Sequence, residues 1–191
     1  MTANALLVID AQESFRARPL WGQMSDRNIA TGIGRLVDAA RVAGDLVVWV
    51  LHTEPGTGNA FDPEQGHVRP LEGLVPREGE PVLAKTSINA FTTTNLQRLL
   101  TDRDIGHVTI CGIRTEQCCE TTARLASDLG YGVTFVLDAT ATNPIAHPTD
   151  DSRTLGTADI MERTACVLSG RFAEISTVED VLARRTTLTG S

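Results

Sequence analysis

Apolar residues fall into short runs and helical spacings that alternate along the chain. Ala5 to Ile9 is an unbroken apolar run, the signature of a strand buried on both faces. Ile29, Ile33, Leu36, Val37 and Ala40 recur at helical spacing, and Gly44 stops that helix. Leu46 to Leu51 reads as a second strand and Val82 to Ala84 as a short third. Between them lies a Gly- and Pro-rich stretch, His52 to Pro81, and loops of that length are usually functional or disordered. A helix around Asn95 to Asp102 precedes a fourth strand, Val108 to Cys111. The next helix follows Cys118 and runs to Gly130, with Cys119, Thr122, Ala123 and Ala126 on one side. Val133 to Leu137 is a fifth strand, ended by Asp138. A helix over Thr157 to Leu168 leads to a short strand near Ala173 to Ile175. Thr177 to Arg184 closes the chain as a helix, with Thr177 as cap and Asp180 three residues on. Arg185 to Ser191 reads as a frayed tail.

Strands alternating with helices predict a mostly parallel sheet of about six strands covered on both faces. The expected fold is a three-layer α/β/α sandwich of Rossmann type. With 191 residues and no internal repeat, the chain is expected to form one domain, residues 1–191.

Composition narrows the class. Hydrophobic residues make up 41% and charged residues 21%, which suits a soluble globular protein rather than a disordered one. A net charge of −7 argues against non-specific nucleic-acid binding. No run approaches the ~20 apolar residues of a membrane span. Met1-Thr2-Ala3-Asn4 has no basic n-region and leads straight into a strand, so it does not read as a signal peptide. Four cysteines, two of them adjacent, do not read as a disulfide framework. The expected location is a reducing cytoplasm.

In open α/β sheets, sites form outside the carboxyl ends of the strands. Asp10 ends the first strand, Lys85 ends the third, and Cys118 follows the fourth by one turn. Singly, each has a plainer reading: a helix cap or loop carboxylate, a solvated strand-end charge, a small core thiol. Together at equivalent positions, an acid, a cation and a thiol suit covalent acyl transfer. A thiol at a strand-to-helix turn is expected to meet free helix amides that favour the thiolate and could hold an oxyanion. Cys119 is expected to point into the core, and Cys111 and Cys166 also read as core positions.

These motifs resemble the isochorismatase-like cysteine hydrolases, which include nicotinamidases and N-carbamoylsarcosine amidase. The matches are Ile9-Asp10-Ala11-Gln12 with Phe15, Lys85-Thr86 with Asn89-Ala90-Phe91, Gly112-Ile113-Arg114-Thr115-Glu116-Gln117-Cys118, and Gly130-Tyr131 with Asp138-Ala139. They occur in family order across residues 5–178. The resemblance implies a catalytic triad of Cys118, Asp10 and Lys85. It also implies an oxyanion hole built from the backbone amides of Arg114 and Cys118, after a non-proline cis peptide at Ile113-Arg114. The family usually has a small residue where this chain has Arg114. That side chain either reaches a substrate carboxylate or pairs with a surface acid. Gln12, Phe15, Trp21, Phe61, Phe91 and Arg114 are the substrate-binding candidates, though the aromatics could equally be lid packing or oligomer contacts.

Several members of the family bind a metal through Asp-x-His and later histidines. Here the segment reads His52-Thr53-Glu54, with His67 further on, and no Asp-x-His occurs. No metal and no cofactor are expected, and the nicotinamidase reading recedes with the metal. The implied activity is hydrolysis of a C–N bond in a small amide, ureide or carbamoyl compound. Vinyl ether hydrolysis of the isochorismatase type is the alternative, but those enzymes lack the cysteine. A redox-sensing thiol protein on the same fold is a third reading. The expected partners are a small-molecule substrate and other copies of the chain, as a dimer or tetramer, with neither nucleic acid nor membrane.

Overall fold

A computed structural model describes residues 3–189, with side chains through residue 185. Six strands form one sheet: β1 (Ala3–Ile9), β2 (Leu46–His52), β3 (Val82–Lys85), β4 (Ile105–Ile113), β5 (Gly132–Ala141) and, at the far edge, β8 (Glu174–Ser176). Their order is β3-β2-β1-β4-β5-β8, and every pairing is parallel. The expected three-layer α/β/α architecture is the one found. Alternate residues of β1 feed opposite layers, as a period of two requires. Leu6 and Val8 pack with α2 (Ile29–Ala43) and the start of α6 (Val178–Thr189). Ala5, Leu7 and Ile9 pack with α3 (Leu96–Thr101), α4 (Glu120–Asp128) and α5 (Thr157–Leu168).

The periodicity argument holds residue by residue on α2. Ile29, Ile33, Leu36, Val37 and Ala40 are its buried positions. Gly44 ends it at φ 74°, a left-handed conformation that glycine adopts without a Cβ penalty. The amides of Gly44 and Asp45 return to the carbonyls of Arg41 and Ala40. At the other end of the chain, Thr177 and Asp180 exchange the capping hydrogen bonds of α6 at 2.7 and 3.1 Å.

Several boundaries differ from the sequence reading. β5 does not end at Asp138 but continues to Ala141. A register shift against β4 turns Asp138 out of the ladder, and its carboxylate accepts the Val178 amide at the start of α6 (2.8 Å). The polar residue therefore marks a bulge and a cap, not a strand end. α6 continues past Arg184 to Thr189, into the expected tail, whose last two residues lie outside the described ones. Cys166 is exposed rather than buried. The buried face of α5 is Ile160, Thr164 and Leu168, and Cys166 lies across the helix from it.

Three elements had no sequence signal: α1 (Glu13–Arg16), a 3-10 turn at Pro19–Gln23, and an antiparallel hairpin of β6 (Ile145–His147) and β7 (Asp150–Leu155). β7 is polar and almost wholly exposed, so it shows no hydrophobic alternation to read. Among the described residues, no helix is long and apolar enough to cross a membrane.

Candidate active site

The strand order reverses at β1, which pairs with β2 on one side and β4 on the other. A parallel sheet opens its crevice at such a point, outside the carboxyl ends of the strands. Asp10 follows β1 with φ 49°, and its amide donates to Val50 O at 2.8 Å. Lys85 is the last residue of β3 and pairs in register with His52 at the end of β2. Cys118 lies in a single π turn, Thr115–Cys119, between β4 and α4. The α-helix expected after Cys118 is α4, which begins at Glu120 and ends at Asp128.

Local contacts hold the π turn in place. The Cys119 amide reaches back five residues to the Arg114 carbonyl (3.2 Å). Thr115 is tied through its hydroxyl to Thr140 of β5 (3.0 Å). The Thr122 hydroxyl donates to the Cys118 carbonyl (2.6 Å) and accepts the Ala90 amide (3.1 Å), joining the turn to the loop after β3. Gly112 makes the approach possible. It pairs with Ile9 at φ 133°, and a Cβ there would sit 1.8 Å from the Ile9 carbonyl oxygen. Only glycine fits that crossing of β4 and β1.

The three side chains singled out from the sequence meet. The Lys85 ammonium contacts Asp10 Oδ2 at 2.8 Å, the Ser87 carbonyl at 3.1 Å, His52 Nδ1 at 3.3 Å and Cys118 Sγ at 3.5 Å. Asp10 and Lys85 are fully buried, and Cys118 is 6% exposed. The thiol is close enough to the Asp10 carboxyl for each to shift the other's proton affinity, although no hydrogen bond joins the two in this geometry. Apart from the Lys85 ion pair, the Asp10 oxygens have no partner among the described residues.

Burial pushes the Asp10 carboxyl above its ordinary range, against the opposing pull of Lys85 and of the neighbouring thiol. Burial, then the Asp10 charge, pushes the Cys118 thiol up to about 12. This corrects the expected thiolate. The resting balance at the sulfur is thereby shifted toward the thiol, beside a carboxyl whose own proton affinity burial raises.

His52 and Glu54 join the site, although neither belongs to a metal cluster. His52 Nε2 contacts Glu54 Oε1 at 3.2 Å, while Nδ1 faces Lys85. Asn59 donates to the other Glu54 oxygen at 2.5 Å, the main reason the Glu54 carboxyl is held below its usual range. His67 takes no part in this group. Its carbonyl accepts from Ser14, and its side chain lines a separate surface concavity with Glu13, Arg16 and Arg69. Among the described residues, no three His, Cys, Asp or Glu side chains are arranged to hold a metal ion.

The substrate-binding candidates divide. Phe15 and Phe61 pack edge to face at 5.0 Å, and Phe61 lies against the His52 ring at 5.5 Å, so these two do border the site. Arg18, which the sequence did not flag, lies 5.7 Å above the Phe61 ring. Gln12 is instead a clamp. Its amide donates to Ser14 and the His52 carbonyl and accepts the His52 amide at 2.7 Å, locking the ends of β1 and β2 together. Phe91 stacks on Tyr131 at 6.1 Å, and Tyr131 precedes β5 at the opposite edge of the sheet from Cys118. Trp21 lines a surface concavity beside the start of α2. Phe61 and Phe91 are covered within one chain, which removes the physical reason for expecting them at an oligomer contact. Arg114 does pair with an acid, Glu116 (2.8 Å), but both side chains are largely buried rather than on the surface. The Ile113-Arg114 peptide is cis.

Comparison with known proteins agrees with this fold. The Isochorismatase domain family matches residues 4–177. A streptothricin hydrolase from Streptomyces noursei is 34% identical over 185 residues, covering 93% of this chain and 60% of its own. The ureidoacrylate amidohydrolase RutB of Klebsiella pneumoniae is 29% identical, covering 72% of each chain. The crystal structure of an isochorismatase from Pseudomonas putida KT2440 superposes with a TM-score of 0.84 at 32% identity, covering 93% of this chain and 89% of its own. With its parallel sheet and this match over nearly the whole chain, the protein belongs to the isochorismatase family of hydrolases.

Proposed function

We propose that this protein is a cysteine amidohydrolase, cleaving a C–N bond of a small amide, ureide or carbamoyl compound through a thioester on Cys118. The observation that carries the reading is the buried Lys85 ammonium touching both Asp10 (2.8 Å) and Cys118 (3.5 Å). Asp10 takes the thiol proton as the sulfur attacks the carbonyl carbon. The backbone amides of Arg114 and Cys118 receive the oxyanion. Asp10 returns the proton to the leaving nitrogen, which departs as an amine or ammonia. A water then gives a proton to Asp10 and attacks the thioester, releasing the acid and restoring the thiol. Lys85 opposes the rise in proton affinity that burial imposes on Asp10 and offsets charge on the sulfur.

The amidohydrolase among the relatives supports this chemistry. The vinyl ether alternative leaves Cys118 without a task. The redox-sensor alternative fits a buried, protonated thiol poorly, because oxidation follows thiolate character and exposure. Association into a dimer or tetramer is part of this reading through the resemblance alone. The test is a screen of small amides, ureas and carbamoyl compounds for release of ammonia or amine. Turnover that disappears in Cys118→Ala supports the reading. Turnover that survives in Cys118→Ala refutes it.

A further inference from the structure

Lys85 has more partners than protons. An ammonium carries three N–H donors. Asp10 and the Ser87 carbonyl, the two shortest contacts, take two of them. His52 Nδ1 at 3.3 Å and Cys118 Sγ at 3.5 Å compete for the third. An ammonium cannot accept, so Nδ1 must be the acceptor in that contact. The ring then carries its proton on Nε2, which donates to Glu54 Oε1. Asn59 holds Glu54 from the far side, and Phe61 packs against the ring. The imidazole is thus fixed in both tautomer and orientation.

We propose that His52 is a positioning residue for Lys85: its Nδ1 accepts the third ammonium proton and withholds it from the sulfur until the thiol ionises. In the resting site the Lys85 N–H points at His52. Once Asp10 has taken the thiol proton, the sulfur is the stronger acceptor and the N–H turns to it. The lysine then stabilises the thiolate during attack and favours it less at rest. Nothing is oxidised, and no proton leaves the site; one hydrogen bond is exchanged for another. The position where several family members place an Asp-x-His metal motif here serves a lysine instead.

The inference rests on the amidohydrolase reading for its purpose, but its test does not, because thiol alkylation needs no substrate. Other charged or titratable groups around the sulfur are Asp10 after β1, Glu54 beyond β2, and the buried thiol of Cys119, with Arg18 facing Glu54. None of them changes in the variants used. In His52→Asn the amide oxygen replaces Nδ1 as an acceptor for Lys85. In His52→Gln the amide nitrogen replaces Nε2 as a donor to Glu54, and the acceptor is lost. His52→Phe removes both and keeps the ring against Phe61.

The experiment follows iodoacetamide labelling of Cys118 with site-resolved mass spectrometry, at a fixed mildly alkaline pH. Cys111 and Cys119 are wholly buried, so their labelling reports unfolding and serves as the internal control. With the acceptor gone, the third N–H should stay on the sulfur, and its apparent pKa should fall by about one unit. Cys118 labelling in His52→Gln and His52→Phe should then rise about tenfold over the unaltered protein, while His52→Asn stays within about twofold. Equal rates in all variants, or a slower rate in His52→Gln, would overturn the proposal. If His52→Phe labels Cys111 and Cys119, the Asn and Gln pair decides alone. Absence of amide turnover on every compound screened would sink the proposed function and leave this result standing.

Discussion

Two carboxylates are buried within a few residues of the nucleophile in space or sequence, and they are treated in opposite ways. Glu120, at the start of α4, is 5% exposed. It accepts from Arg124 (3.0 Å), from Arg163 and from the Thr164 hydroxyl (3.2 Å), so both its oxygens are satisfied. It fastens α4 to α5. Asp10 is fully buried, and among the described residues its carboxylate has only the Lys85 ammonium as partner. A carboxylate surrounded by donors has little appetite for a proton. One deprived of water and short of donors has its proton affinity raised. The same functional group is a bolt in one place and a base in the other, and the number of donors around it makes the difference.

That contrast is open to test. Asp10→Asn and Cys118→Ser should each lower amide turnover by about a thousandfold or more, with the fold intact by circular dichroism. Glu120→Gln should do the reverse, costing about 1–3 kcal/mol in denaturant unfolding while turnover per folded molecule stays near that of the unaltered protein. Full activity in Asp10→Asn would end its assignment as the base. Lost turnover in a folded Glu120→Gln would show that the second carboxylate is not merely structural.

The pH dependence should follow Asp10 on the acid side. Its raised value requires kcat/KM to fall as pH drops through a midpoint above the ordinary carboxylate range. Its contribution to stability has the opposite sense. A raised acid binds its proton more tightly when folded, so the stability it contributes is fullest at low pH and is lost as pH rises through the folded value. Glu80 is the counterexample in the same molecule. Burial opposes its charge, but Arg41, the Arg77 amide and the Trp49 indole overcome that and hold it at about 2. Its contribution is present above the ordinary glutamate range and is lost as acid is added toward that value. Unfolding curves of Asp10→Asn and Glu80→Gln against pH should therefore diverge from the unaltered protein in opposite senses below neutrality.

Smaller effects sharpen the pairing of Cys118 with its neighbour. Cys119 is wholly buried, and its thiol is pushed well above the ordinary range by burial. Cys119→Ser should keep most of the turnover and lose about 1–2 kcal/mol of stability through a buried hydroxyl. Equal loss of activity without unfolding would move the nucleophile by one position. Chelator treatment followed by dialysis should leave turnover unchanged. Activity restored only by added zinc, iron or manganese would return His52 and Glu54 to the role of ligands.

Much of this was legible before any coordinates. Asp10, Lys85 and Cys118 stand out because each lies at or just beyond the end of an apolar run, and a parallel sheet delivers strand ends to one edge. The helix Ile29–Ala43 was legible for the same kind of reason, since its spacing and its glycine stop are local properties. The packing of Gln12 against β2 and of Phe91 against Tyr131 was not legible, because motif positions say nothing of where a side chain turns once its loop packs. His52 and Glu54 were seen as neighbours on an extended segment, but their link to Lys85 depends on β2 and β3 lying side by side. The β6–β7 hairpin was missed because its exposed strand has no apolar alternation to betray it.

Sequence alone determined the strands of the main sheet, the long helices, their alternation and the three reactive residues, because periodicity and strand ends are written along the chain. Only the tertiary structure decided the proton inventory of the site. Whether Cys118 is thiol or thiolate, and whether Asp10 holds or releases a proton, depends on water excluded and donors supplied by residues distant in sequence. Burial and hydrogen-bond count belong to the assembled fold, and no local pattern encodes them.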